Sequence, residues 1–334
     1  MKKVAALVAI GLGLVTVRRL IAVRKALSAA APELRTWRLL VTGIPMNSLT
    51  LPIARLLMAY KSEPGPGVTK TEHLVSDPAI DVIVLTPTSR PAPLPAVLWL
   101  HGGGMCAGTA ELETEPGADL ARDIGAVVVL PNYRLAPENP FPAGLDDCMA
   151  TLQWMVKNAD DLGIDPDRVG VCGTSAGGGL AAAVAQRALD EGISLRAQAL
   201  TSPMLDDRTA LLQDFAGRGE LTWSPRSNKW AWTAYLGREP RASDAPDYAA
   251  PARRPDVAGL AATWIGVGDL EVFYDENVTY AERLRAAGVP CELVTVPGMY
   301  HTAEGIARNA PSMKSFHNGL VEHLRTYLDA STAR

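Results

Sequence analysis

The strongest constraint on this chain is an alternation. Beyond residue 80, short β-rich runs recur, separated by helical stretches. The strand candidates are residues 81–85, 96–100, 126–130, 169–172, 197–200, 263–267 and 292–296. The run 126–130 contains three consecutive valines, the pattern of a strand buried on both faces. Between these runs, residues 144–158, 277–287 and 313–328 read as helices, and residues 179–189 are rich in alanine, a strong helix former. Such alternation predicts a mostly parallel sheet with helices on both faces.

Two regions fall outside the pattern. Residues 27–70 read as helices with breaks, with Leu49, Ile53, Leu56 and Leu57 at helical spacing, and Pro64-Gly65-Pro66-Gly67 ends that region. Residues 71–334 form the remaining domain, interrupted at about 206–250 by a segment rich in aromatic and turn residues. An insertion of that length between two strands is usually a lid or a binding loop. Trp223, Trp230 and Trp232 within it are candidates to line an apolar pocket, and Met105 is a further candidate.

Charge separates the first segment from the body. Residues 1–31 hold Lys2, Lys3, Arg18, Arg19, Arg24 and Lys25 and no acid, within a chain of 32 basic and 36 acidic residues. No strongly basic surface is therefore left on the body, which argues against nucleic acid as a partner. Residues 4–17 are an uncharged, mostly apolar run of 14 residues. That is short of the roughly 20 needed to span a bilayer. Residues 1–26 are read as a basic, apolar helix associating with a membrane surface, in preference to a cleaved signal or a helix packed on the body. Cys106, Cys148, Cys172 and Cys291 are widely spaced with no CxxC pair. This predicts reduced thiols, no metal site and a cytoplasmic setting. Cys106, two residues past a glycine run, is placed where a thiol reagent would block access to that loop.

The chemistry-bearing motifs sit at strand ends. Gly173-Thr174-Ser175-Ala176-Gly177 is a G-x-S-x-G element between a strand and a helix. That is the setting of a nucleophile elbow, where a strained turn exposes the serine and demands small neighbours. His101-Gly102-Gly103-Gly104 follows another strand. Its glycines allow amides to converge on one point, so Gly103, Gly104 and Ala176 are the expected oxyanion donors. His101 is read as orienting that loop. His301, after the strand 292–296, is the candidate base; His73, His317 and His323 are read as solvated or structural. The acid should lie after the strand 263–267, where Asp269 and Glu271 compete, and Asp275 and Glu276 are read as opening the next helix.

With these residues in place, the chain resembles the hormone-sensitive-lipase-like bacterial esterases of the α/β-hydrolase superfamily. The resemblance runs from about residue 74 to about residue 328. It is carried by HGGGM (101–105), NYRLAPENPFPAGLDD (132–147), DPDRVGVCGTSAGG (165–178), VGDLEVFYDE (267–276) and PGMYH (297–301). It implies an α/β-hydrolase fold, with a mostly parallel eight-stranded sheet and a helical cap built from the N-terminal region and the 206–250 insertion. It also implies a cofactor-free serine carboxylesterase acting on short to medium acyl esters. The family's acid motif resembles D-x-x-x-D-E. Counting back from Asp275-Glu276 lands on Glu271, so the resemblance favours glutamate there, with Asp269 the competitor. Other readings are a lipase acting at membranes, an amide or formamide hydrolase, and a non-catalytic small-molecule receptor on the same fold, as in the plant gibberellin receptors. Monomer and homodimer both fit these residues.

Overall fold

A computed structural model describes residues 25–40, 45–89 and 93–329; residues 4–17, expected to meet a membrane surface, lie outside them. Eight strands form one sheet: β1 (Val68–Ser76), β2 (Ala79–Pro87), β3 (Leu94–Leu100), β4 (Val127–Pro131), β5 (Ile164–Thr174), β6 (Ala197–Thr201), β7 (Ala262–Gly268) and β8 (Cys291–Val296). Their order is β1-β2-β4-β3-β5-β6-β7-β8. The pairs β1–β2 and β2–β4 are antiparallel and every other pair is parallel.

The pleat sorts the strand side chains to two faces. In β4, Val127 and Val129 join one apolar cluster, while Val128 and Leu130 join the other. The first cluster takes in Leu145 and Leu152 of α3 (Ala143–Lys157), Leu180 and Val184 of α4 (Ala176–Asp190) and Leu284 of α6 (Tyr274–Ala286). The second takes in Leu120 and Ile124 of α2 (Thr114–Ile124), with Phe316, Leu320 and Leu324 of α7 (Pro311–Leu328). The central strands thus need apolar residues at nearly every position, which explains why they read as continuous runs.

The segments outside the alternation divide. Residues 25–40 pack beside the chain that follows β8: the Ala31 amide donates to Gly298 O (3.0 Å) and Tyr300 Oη to Leu34 O (2.9 Å). Helix α1 (Leu51–Met58) instead lies against the insertion, where α5 (Pro225–Leu236) is N-capped by Ser224. Met46 N donates to Ser227 Oγ (3.0 Å) and Trp230 Nε1 to Ser48 Oγ (3.3 Å), tying the two segments together. Among the described residues no helix is long and apolar enough to cross a membrane.

Candidate active site

The elbow is a steric consequence of its sequence. Ser175 sits between β5 and α4 at φ +59° and ψ −121°, a conformation L-residues rarely adopt. A Cβ at Gly173 would stand 2.3 Å from Gly177 O, and one at Gly177 would stand 2.0 Å from Leu100 O. Neither position admits a side chain.

The same argument fixes the glycine loop after β3. Gly103 has φ +119°, and a Cβ there would lie 2.0 Å from Ala107 O. Gly104 has φ +66°, and a Cβ there would lie 2.5 Å from the Trp223 ring. The loop passes beside Ser175, since a Cβ at Gly102 would be 3.6 Å from Ser175 Cβ. It closes on itself: the amides of Cys106 (3.2 Å) and Ala107 (3.0 Å) donate to Gly103 O. His101 is buried and stacks on Tyr133 at 4.1 Å, with Nδ1 2.8 Å from Gly102 O. Burial lowers its pKa to about 4, so it is a neutral ring in the scaffold of this loop.

The structure brings Ser175, His301 and Glu271 together. His301 Nε2 lies 2.9 Å from Ser175 Oγ, and His301 Nδ1 lies 2.7 Å from Glu271 Oε2. Glu271 Oε1 accepts from Ser202 Oγ (2.7 Å) and from the Gly268 amide (2.8 Å). Ser175 and His301 are each 4% exposed and Glu271 is 1% exposed, so the chain of hydrogen bonds is shielded from water. Phe273 meets the His301 ring edge-on at 5.3 Å, and Trp223 lies 6.3 Å from it. Thr222 Oγ1 donates to His301 O (2.6 Å), so the insertion also grips the histidine backbone.

Asp269 goes elsewhere. Its Oδ1 accepts from the Gly298 amide (2.7 Å), which clamps the turn leading to His301. Glu276 opens α6 but is also buried: it accepts from the amides of Leu205 (2.7 Å) and Asp206 (3.3 Å) and from Thr209 Oγ1, fastening the start of the insertion. Burial raises its pKa well above the usual carboxylate range. Of the four pocket candidates, Trp232 is fully buried in the core against Tyr235, whereas Trp223 covers Gly104 and faces His301. Trp230 packs with Met46, Leu51 and Cys106. Met105 is 3% exposed and packs toward α4, its Cε 3.5 Å from where a Cβ would stand at Gly179. Cys106 is fully buried and burial pushes its thiol up to about 12, so the expectation of a reagent-accessible thiol does not hold. Ser202 and Tyr133, whose Oη donates to His101 O (2.7 Å), were not singled out by sequence; only their places, after β6 and within N-Y-R, could have flagged them.

A strand-end serine in a strained elbow, backed by histidine and a carboxylate on a mostly parallel sheet, defines a class, and residues 97–304 match the family described by the α/β hydrolase fold. The chain belongs to that family, within its hormone-sensitive-lipase-like branch. It is 38% identical over 227 residues to carboxylesterase NlhH of Mycobacterium tuberculosis, covering 66% of this chain and 69% of that one. It is 32% identical over 214 residues to ethyl acetate hydrolase of Pseudomonas putida, covering 62% and 65%. A solved bacterial heroin esterase superposes with a TM-score of 0.82 at 34% identity, covering 91% and 99%. This chain is a serine carboxylester hydrolase.

Proposed function

We propose that Ser175 is the nucleophile, His301 its general base and Glu271 the orienting carboxylate, acting on short to medium acyl esters. The observation that carries the reading is the buried relay Ser175 Oγ–His301–Glu271, at 2.9 and 2.7 Å. Glu271 accepts a hydrogen bond from the Nδ1–H of His301, which leaves the Nε2 lone pair facing the serine hydroxyl. Ser175 attacks the acyl carbonyl as His301 takes its proton. The amides of Gly103, Gly104 and Ala176 hold the oxyanion that forms. His301 then protonates the leaving alcohol, and water releases the acyl group by the reverse sequence of proton transfers. A short acyl preference is supported by the large side chains beside the His301 ring, Trp223 and Phe273, and by the ethyl acetate hydrolase relative.

Hydrolysis of p-nitrophenyl esters from acetate to palmitate tests this. Ser175→Ala is expected to abolish turnover, and Glu271→Ala to lower kcat by about 10³–10⁴. Asp269→Ala should retain most of kcat, because it loosens only the turn before His301. A dead Asp269→Ala beside an active Glu271→Ala would reverse the assignment. A peak at palmitate would favour the lipase reading. Association with an anionic membrane surface through residues 4–17 is supported by the acid-free basic composition around them. Co-flotation with anionic liposomes, lost on deleting residues 1–24, is the result expected.

A further inference from the structure

We propose that Arg55, on the cap helix α1, is a positioning residue that holds the oxyanion loop in shape, so that catalysis depends on that helix being seated. The inference rests on the reading of Gly103, Gly104 and Ala176 as oxyanion donors.

One guanidinium spans three parts of the fold. Arg55 Nε donates to Cys106 O (2.8 Å), and Nη2 donates to Ala136 O (2.9 Å). Nη1 and Nη2 also donate to the Glu138 carboxylate at 2.8 and 2.7 Å. Cys106 is the third residue past Gly103 and is fully buried. Its amide bonds to Gly103 O, so a shift of the Cys106 peptide is passed to the Gly103 turn. Ala136 is tied to the same loop from the other side, its amide donating to Met105 O (2.9 Å). Arg55 therefore pins two carbonyls that flank one short loop.

The other contacts of the loop do not replace it. Met46 and Leu51 pack on Cys106, Ala107 and Ala136, but apolar contacts leave those two carbonyls without donors. The ion pair is a weak anchor by itself: the Arg55 and Glu138 side chains are 33% and 56% exposed, and exposed pairs contribute little. Its geometric effect is larger, because a carboxylate gripping two nitrogens orients the planar fork so that Nε and Nη2 reach the carbonyls. The positively twisted Gly103 and Gly104 have no side chain to brace them. Bracing from outside therefore adds to the loop's own bonds from the Cys106 and Ala107 amides to Gly103 O.

The test compares wild type with Arg55→Met, Arg55→Lys and Ser175→Ala. The readouts are kcat and KM for p-nitrophenyl butyrate, inhibition by a phenylboronic acid that forms a tetrahedral adduct on serine, and the thermal midpoint. Misplacing a catalytic group by about 1 Å can cost about 10²-fold. For Arg55→Met we expect kcat to fall at least about tenfold, KM to change less than about twofold, and boronate affinity to fall in step with kcat. Arg55→Lys, which lacks the fork, should recover only part of the loss and supplies the answer if Arg55→Met does not fold. Wild-type kcat in both variants, or a rise in KM alone, would overturn the proposal while leaving the site reading intact. An active Ser175→Ala, or wild type indifferent to boronate, would overturn the site reading and this proposal with it.

Discussion

At the scale of single residues, the environment of the His301–Glu271 pair makes one carboxyl unusual. Glu304, three residues past His301, has its Oε2 buried with no hydrogen-bond partner among the described residues. Burial, with the negative charge of Glu271 nearby, raises its pKa to about 7. The unfolded chain loses this proton near pH 4.5, whereas the folded chain keeps it to about 7. Its stabilising contribution is thus full below pH 4.5 and is lost as pH rises through 7. Glu304→Gln should leave the thermal midpoint near wild type at pH 5 and raise it at pH 8 by about 1 kcal/mol equivalent. Equal midpoints at both pH values would show that this carboxyl bears no such penalty. Cys106, buried and with a high pKa, should resist thiol reagents at pH 7 in the folded enzyme. Labelling by mass spectrometry checks this. The turns that carry the proposed site were legible because their backbone demands leave marks: glycines at 103, 104, 173 and 177 are the only residues those turns admit. Ser202 and Arg55 left no such mark, since their roles arise from partners 69 and 51 residues away.

At the scale of elements, the insertion is held by a few fastenings. Glu276 takes two amides and a hydroxyl from residues 205–209 at its start, and Thr222 reaches the His301 carbonyl. Glu276→Ala would strand those donors in a buried place. It should destabilise the fold by about 2–4 kcal/mol, read in urea unfolding, and raise KM before it lowers kcat. Trp223→Ala should cost activity with little loss of stability, because the ring is only partly buried yet covers Gly104 and His301. Comparing its kcat with its urea midpoint separates the two effects. Two elements escaped the sequence reading. Strand β1 carries Lys70, Glu72 and His73 on a largely exposed sheet edge, so no apolar rhythm marks it. Helix α2 holds Pro116 and Gly117 in its opening turns, which read as a loop; a Cβ at Gly117 would stand 3.0 Å from a Leu85 methyl.

At the scale of the whole molecule, the strand order divides the sheet by task. The glycine loop follows β3, the serine follows β5, Ser202 follows β6, the glutamate follows β7 and the histidine follows β8. These five strands are contiguous, while β1, β2 and β4 lie together at the other side and carry none of the relay. The parallel α/β core was legible because fully buried strands must be apolar throughout, as Val127 to Leu130 are. The swap that sets β4 between β2 and β3 was not, because strand order is decided by crossovers and not by composition. That division has a consequence for how such a chain diversifies. We expect the reacting groups to follow one contiguous side of the sheet and the choice of ester to follow the insertion, with α1 tied to both, through Arg55 to the glycine loop and through its packing to the insertion. Grafting those two segments together from a relative should exchange the preferred ester while the rate-setting residues stay in register. Grafting the insertion alone would separate it from Met46 and Ser48, which are its partners on the other segment. The two segments are thus expected to be exchanged together, although 166 residues of sheet and helix lie between α1 and α5.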